Sequence, residues 1–117
     1  MTQRAEPTPE ELVAVRMLCD GEVSYRTEGW RQMVYMDGLR IGSLRLRALL
    51  VLNHDNPTYP TKLYLAENVG GPVNWNEQAY LMGQQWHTYS WANVPNHLPI
   101  IEILAGHLAP ITQWKAA

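Results

Sequence analysis

The chain has no phenylalanine, a single cysteine and few charges of either sign. Each shortage excludes something. With Cys19 as the only thiol, no internal disulfide framework is possible, so the fold must rest on a packed core. Charged residues make up 17% and the net charge is −2, with no block of like sign. A nucleic-acid surface needs a basic stripe, and none is present. No apolar run reaches the roughly 18 residues that a membrane span requires. The opening "MTQRAEPTPEE" is polar and acidic and lacks the apolar core of a secretion signal. These absences lead to the expectation of a cytoplasmic protein with no nucleic-acid or membrane partner. What the chain does have is 46% apolar residues in 117, with five Trp and six Tyr in place of Phe. That suits one domain over 1–117 with one core, residues 1–7 forming a disordered tail.

Thr8-Pro9-Glu10-Glu11 predicts a helix start. Thr8 can cap, Pro9 suits the first helical position, and Glu11 completes a capping box. Leu12, Val15 and Leu18 or Cys19 give one apolar face over residues 8–19, and Asp20-Gly21 ends it. Val23, Tyr25 and Thr27 then alternate with Ser24 and Arg26. A second run covers Trp30 to Met36, and Asp37-Gly38 reads as a turn. In the third run Leu44, Leu46, Ala48, Leu50 and Leu52 line one face, with Arg45 and Arg47 on the other. His54 to Pro57 turns the chain, and Lys62 to Ala66 is a fourth strand. From Glu67 to Trp91 periodicity fails, and three Trp and two Tyr predict an ordered loop packed by its own side chains. Asn96 is a plausible cap for a second helix over 98–108. Leu98, Ile101, Leu104 and Leu108 form its stripe and Pro110 stops it. The expected fold is α+β: N-terminal helix, four-strand antiparallel meander, long ordered loop, C-terminal helix.

That order, together with Tyr59-Pro60 before strand four in "LRLRALLVLNHDNPTYPTKLYLAEN", resembles the ubiquitin-conjugating-enzyme superfamily in a shortened, divergent bacterial form. The resemblance covers roughly residues 8–110. In the family, strand four ends in a His-Pro-Asn tripeptide whose Asn steadies the oxyanion of transfer. Here the place reads Ala66-Glu67-Asn68-Val69, and only Asn68 matches. The family then has an active-site Cys, a Trp, and a helix rich in Ile and Leu. Trp86 and "LPIIEILAGHL" match the last two, and the family spacing back from Trp86 puts Gln78 or Ala79 at the Cys position. Without that Cys the chain cannot form a thioester by this route. It would be a natural non-catalytic variant or an engineered Cys-to-Ala form, with position 79 favoured. The resemblance implies a ubiquitin-like protein and its activating enzyme as partners, and no cofactor.

The candidate site follows. Asn68 could donate to an oxyanion, or simply bond its own backbone in a turn. Ala79 marks the expected Cys position, on one groove with Asn68 and with Trp86 packed beneath. His87 would stand near enough to influence a proton there. Trp75, Tyr80 and Gln78 are expected binding residues, Trp75 as the exposed anchor, while Trp86 and Trp91 are expected to pack. His54, His87, His97 and His107 lack metal-ligand spacing, so no metal is expected. Cys19 is expected to be structural. Two other readings stand beside conjugation: a binding module of the same fold without chemistry, and an unrelated small α+β protein that dimerises through its sheet or its Trp-rich segment.

Overall fold

The computed structural model describes residues 3 to 116, and side chains as far as Ile111. Two helices and six strands follow in the order α1 (Pro9–Arg16), β1 (Val23–Glu28), β2 (Arg31–Ile41), β3 (Leu44–Val51), β4 (Lys62–Leu65), β5 (Asn74–Leu81), β6 (Gln84–Ser90) and α2 (Ile100–Ala116). The strands form one antiparallel sheet in the spatial order β1-β2-β3-β4-β6-β5.

This corrects the expected four-strand meander with a long loop. The stretch 67–91 holds a hairpin that adds two strands. Its turn is Met82-Gly83, with φ of 54° and 74°, the geometry that suits a two-residue hairpin. Met-Gly lacks the Asn or Asp that usually marks such a turn, so the hairpin is hard to see from residues alone. β6 docks on β4 through Tyr64↔Thr88 and Leu65↔His87 and leaves β5 at the edge.

The helix boundaries also shift. Thr8 and Glu11 form the capping box, each side chain accepting the other's backbone N–H at 3.2 Å. α1 ends at Arg16 rather than at 19, because Asp20 N–H turns to the Gly38 carbonyl at 2.9 Å and Gly21 N–H to that of Asp37 at 3.0 Å. The same contacts explain why Asp37-Gly38 is no hairpin turn. It is a bulge inside β2, with Gly38 at φ +70°, and the strand runs on to Ile41. α2 begins at Ile100, not 98, and Asn96 lies ahead of it. Its first turn is capped from another helix: Glu11 Oε2 accepts the Ile100 N–H at 3.1 Å. Pro110 lies within α2 and does not end it. It forfeits one backbone bond there, and burial of Leu108 and Ile111 against the sheet offsets that loss.

The segment expected to be a disordered tail is docked through Arg4. Arg4 N–H donates to Gln32 Oε1 at 2.8 Å, and Gln32 Nε2 donates back to the Arg4 carbonyl at 2.5 Å. The Arg4 guanidinium donates to the carbonyls of Asn96 and Leu98 and to Glu11 at 3.0 Å.

The two sheet faces bury different sets. One carries Val34, Met36, Leu46, Ala48, Leu50, Leu63 and Leu65 beneath Ile100, Ile103, Leu104 and Leu108 of α2 and Val15 of α1. The other buries Met33, Leu49, Val51, Tyr64, Leu81 and Trp86 with no helix above them. The sheet closes that face itself. Met82 N–H, at the β5–β6 tip, donates to Glu28 Oε2 at the end of β1 at 3.0 Å. In a flat sheet those points would stand about 20 Å apart, at nearly 5 Å per strand. The strands therefore coil until the hairpin tip leans over β1–β3, a curl that Arg47 also fastens by donating to Gln84 Oε1.

Candidate functional site

Alternation along β5 and β6 sorts the predicted site residues. Gln78 stands opposite His87, and Ala79 opposite Trp86. Consecutive strand residues point to opposite faces, so Gln78 and His87 share one face while Ala79 and Trp86 share the other. Asn68, Trp75, Asn76, Glu77, Gln78 and His87 line one shallow cleft of about 200 Å³ at the corner where β4 hands over to β6 and β5. Asn68, Gln78, His87 and Trp75 are thus brought together. Ala79 is not among them. It packs against the curled-face cluster that contains Trp86. The expectation that Ala79 and Asn68 share a groove over Trp86 is corrected by this alternation. Of the two positions that the family spacing allows, Gln78 is the one that faces Asn68.

Within the cleft the side-chain groups are amides and one imidazole. Glu77 borders it, but alternation turns its carboxylate to the other face, where Lys62 holds it. Asn68 is exposed, and its side-chain oxygen accepts the Gly70 N–H at 2.8 Å, a local turn bond. Its remaining polar group is the amide NH₂, a donor. Gln78 is exposed and accepts from Gln85 Nε2 at 2.7 Å. His87 is half-buried. Trp75 is not an exposed anchor. Its ring lies 5.0 Å from that of Tyr89, tilted by 60°, and its Nε1–H donates to the Gly70 carbonyl at 3.0 Å. It fixes the chain after β4 to β5 and forms the cleft's rigid wall. Trp86 is fully buried as expected, with Nε1–H donating to the Leu81 carbonyl at 2.8 Å. Trp91 is 38% exposed, contrary to expectation, and Tyr80, at 71%, is the most exposed aromatic among the described residues.

Asn76 and Glu77 also line the cleft and were missed in the sequence, because the segment lacks a clean period. A bulge between Asn74 and Glu77 breaks the alternation at that point. Glu77 reaches across β6 to the buried Lys62, Nζ to Oε2 3.1 Å, and Lys62 lies 5.1 Å from the Tyr59 ring centre. Burial, helped by the Glu77 charge, pushes the nearby Tyr64 hydroxyl up to about 12. Pro60 is trans.

The remaining titratable residues lie elsewhere. His107, within α2, is buried. Its Nε2 is 2.8 Å from Thr61 Oγ1, which donates to the Val94 carbonyl at 2.8 Å, so the imidazole donates to the hydroxyl oxygen. Burial, then the Lys62 charge, lowers its pKa to about 4. His54 bonds the Tyr59 carbonyl through Nδ1 at 2.9 Å, and His97 is exposed. Among the described residues no three His, Cys, Asp or Glu gather as metal ligands would. Cys19 is buried, and desolvation first, then Asp20 and Asp37, raise its thiol to about 11 against the opposing Arg40. Among the described residues no helix is long and apolar enough to cross a membrane.

Comparison with protein-family models, with curated proteins and with solved structures finds no match.

Proposed function

We propose that this chain is a non-catalytic protein-binding module that holds an extended polypeptide segment in the cleft of Asn68, Trp75, Gln78 and His87. One observation carries the reading: residues from three separate segments present amide and imidazole groups along one side of a rigid tryptophan wall. Such groups pair with peptide N–H and C=O and make little demand on side-chain identity. The ubiquitin-conjugating resemblance suggests the occupant, the tail of a ubiquitin-like protein in a bacterial conjugation pathway. The test is titration of a ubiquitin-like protein from the same genome, and of its isolated C-terminal peptide, into the labelled chain by NMR. Shifts centred on Asn68, Gln78 and His87, weakened at least tenfold by Gln78→Ala with His87→Ala, support the module. Shifts elsewhere, or none, remove it.

A second reading, transfer in a Cys-bearing parent, is favoured by the cleft's joining of Asn68 and His87 to Gln78, one of the two positions that family spacing allows for the thiol. Gln78→Cys and Ala79→Cys are each mixed with the activating enzyme, ATP and the ubiquitin-like protein. A reductant-sensitive adduct at position 78 that depends on Asn68 supports transfer. An adduct at neither position leaves the binding module alone.

A further inference from the structure

The sheet has two edges, and they are protected differently. β1 is the guarded one. Arg26 pairs with Glu22 at 3.2 Å and lies 4.4 Å from the Tyr35 ring centre, and Glu28 holds the Met82 N–H. Charged groups along an edge discourage pairing with another chain. β5 is the unguarded one. Between Asn74 and Leu81 it has no Lys, Arg or Pro, and its one acid, Glu77, is already paired with Lys62. Asn76, Gln78 and Tyr80 along it are exposed.

The hairpin turn determines which backbone groups face outward. Leu81↔Gln84 closes a two-residue turn, so it is a hydrogen-bonded pair, as are Ala79↔Trp86 and Glu77↔Thr88 by alternation. Gln78 and Tyr80 therefore direct their N–H and C=O away from β6, toward the free edge.

We propose that a second copy of this chain pairs there, β5 antiparallel to β5 about a two-fold axis at Ala79, so that two sheets become one. The register follows from the outward groups. With the axis at Ala79, Gln78 of one copy meets Tyr80 of the other, and both residues exchange both backbone bonds. Centring on Gln78 would pair Tyr80 with Asn76, where the bulge spoils the ladder. Centring on Tyr80 would run Gln78 into the Met82-Gly83 turn. The Ala79 register also sets Glu77 against Leu81 rather than against its own symmetry mate, which avoids a like-charge contact. At the axis two alanines meet as a non-hydrogen-bonded pair, the closer kind, at about 4.5 Å between Cα atoms. A small side chain suits that spacing. Tyr80 of the second copy then stands on the same face as Gln78 and extends the wall of the Asn68–His87 cleft, so each cleft is completed by the other chain. The interface accounts for the 71% exposure of Tyr80.

The experiment uses the full chain without any other protein. Sedimentation velocity from low to high micromolar should show a reversible monomer–dimer equilibrium. In a Cys19→Ala background, Ala79→Cys should oxidise to a covalent dimer several-fold faster than Gln78→Cys, since only residue 79 meets itself. Gln78→Pro removes an outward N–H without touching the β5–β6 ladder and should abolish the dimer. Tyr80→Lys, at an exposed position, should weaken it at least tenfold with unchanged melting, and it decides the matter should the proline variant unfold. A monomer at every concentration, or equal oxidation rates for the two cysteine variants, overturns the proposal. Either result leaves peptide binding in the cleft to be judged by its own titration.

Discussion

The two faces of the sheet are equally dry but are kept dry in different ways. On one, α1 and α2 lie over Leu46, Ala48, Leu50, Leu63 and Leu65. On the other, the sheet coils until its own β5–β6 hairpin covers Met33, Leu49 and Tyr64. Helix cover is modular: an amphipathic stripe meets an alternating strand, and both patterns are readable. Self-cover depends on the sum of strand twists and on two side-chain bonds at the hairpin tip, Met82 to Glu28 and Arg47 to Gln84. The difference teaches that burial of a residue does not reveal what buries it. It also explains why β5 ends as an edge: the hairpin that closes one face must leave its outer strand unpaired.

The strongest way to break the helix-covered face is Leu50→Asp. It places an unpaired charge where exposure is zero and should cost about 4 kcal/mol or more in denaturant unfolding. An unchanged midpoint would contradict the assignment of that face. The matching probe of the curled face is Trp86→Ala. If self-cover is as tight as helix cover, it should cost about 3–5 kcal/mol, comparable with the loss from Leu63→Ala. A cost under about 1 kcal/mol would mean that the hairpin does not seal its face.

Acid should act on the helix-covered face first. His107 is neutral when folded, with a pKa lowered to about 4, whereas an unfolded histidine titrates near its ordinary 6.5. Its stabilisation is therefore complete above pH 6.5 and is lost as pH falls toward 4. The loss should approach about 3 kcal/mol, since each unit is worth about 1.4 kcal/mol. Melting temperature against pH should fall across that window, and His107→Gln should flatten the curve. A parallel fall in the variant would assign the effect to other groups.

A smaller effect separates the helices from the sheet. Glu11 sits at the junction of the N-terminal segment, α1 and α2. Burial raises its pKa, but the N–H groups of Ile100 and Thr8 and the Arg4 guanidinium outweigh that and hold it below the usual carboxylate value. Glu11→Ala should cost about 1–2 kcal/mol, the size of a lost cap, and should speed amide exchange at the start of α2 without disturbing Trp86. The smallest effect is on Cys19. With its thiol raised to about 11, alkylation at neutral pH should be far slower than for a free thiol. Fast labelling would show that the β2 bulge opens.

Much of the first half was legible because its signals are local. Thr8 and Glu11 are three residues apart, so the capping box needs no tertiary information. Leu44 and Leu46 alternate with the exposed Arg45 and Arg47 because only one face is buried at the start of β3, whereas from Ala48 to Val51 both faces are buried. The second half was not legible. Leu81 and Trp86 lie on one face of a hairpin whose turn carries no Asn or Asp, and a bulge breaks the period at Asn74–Glu77. Of the candidate site, Asn68 and Gln78 were named from the family resemblance and its spacing, and His87 and Trp75 from their residue types and neighbours. Which of them face each other depends on strand parity, and parity is meaningless in a segment read as a loop.

The sequence by itself determined the start of α1 and the strand character of β3 and β4, because propensity, capping and alternation act over a few residues. Of the stripe expected for α2, Leu104 and Leu108 are buried, but Ile101 is half-buried, Leu98 lies ahead of the helix, and Ile100, Ile103 and Ile111 complete the buried face. Tertiary structure alone decided that Asp37-Gly38 is a bulge, that Glu11 caps a helix 89 residues away, and that Pro110 stays helical. It also decided that Gln78 rather than Ala79 looks toward Asn68. The physical reason is shared: each outcome is a bond or a burial between segments far apart in the chain, and its free energy outweighs a local preference of about 1–3 kcal/mol.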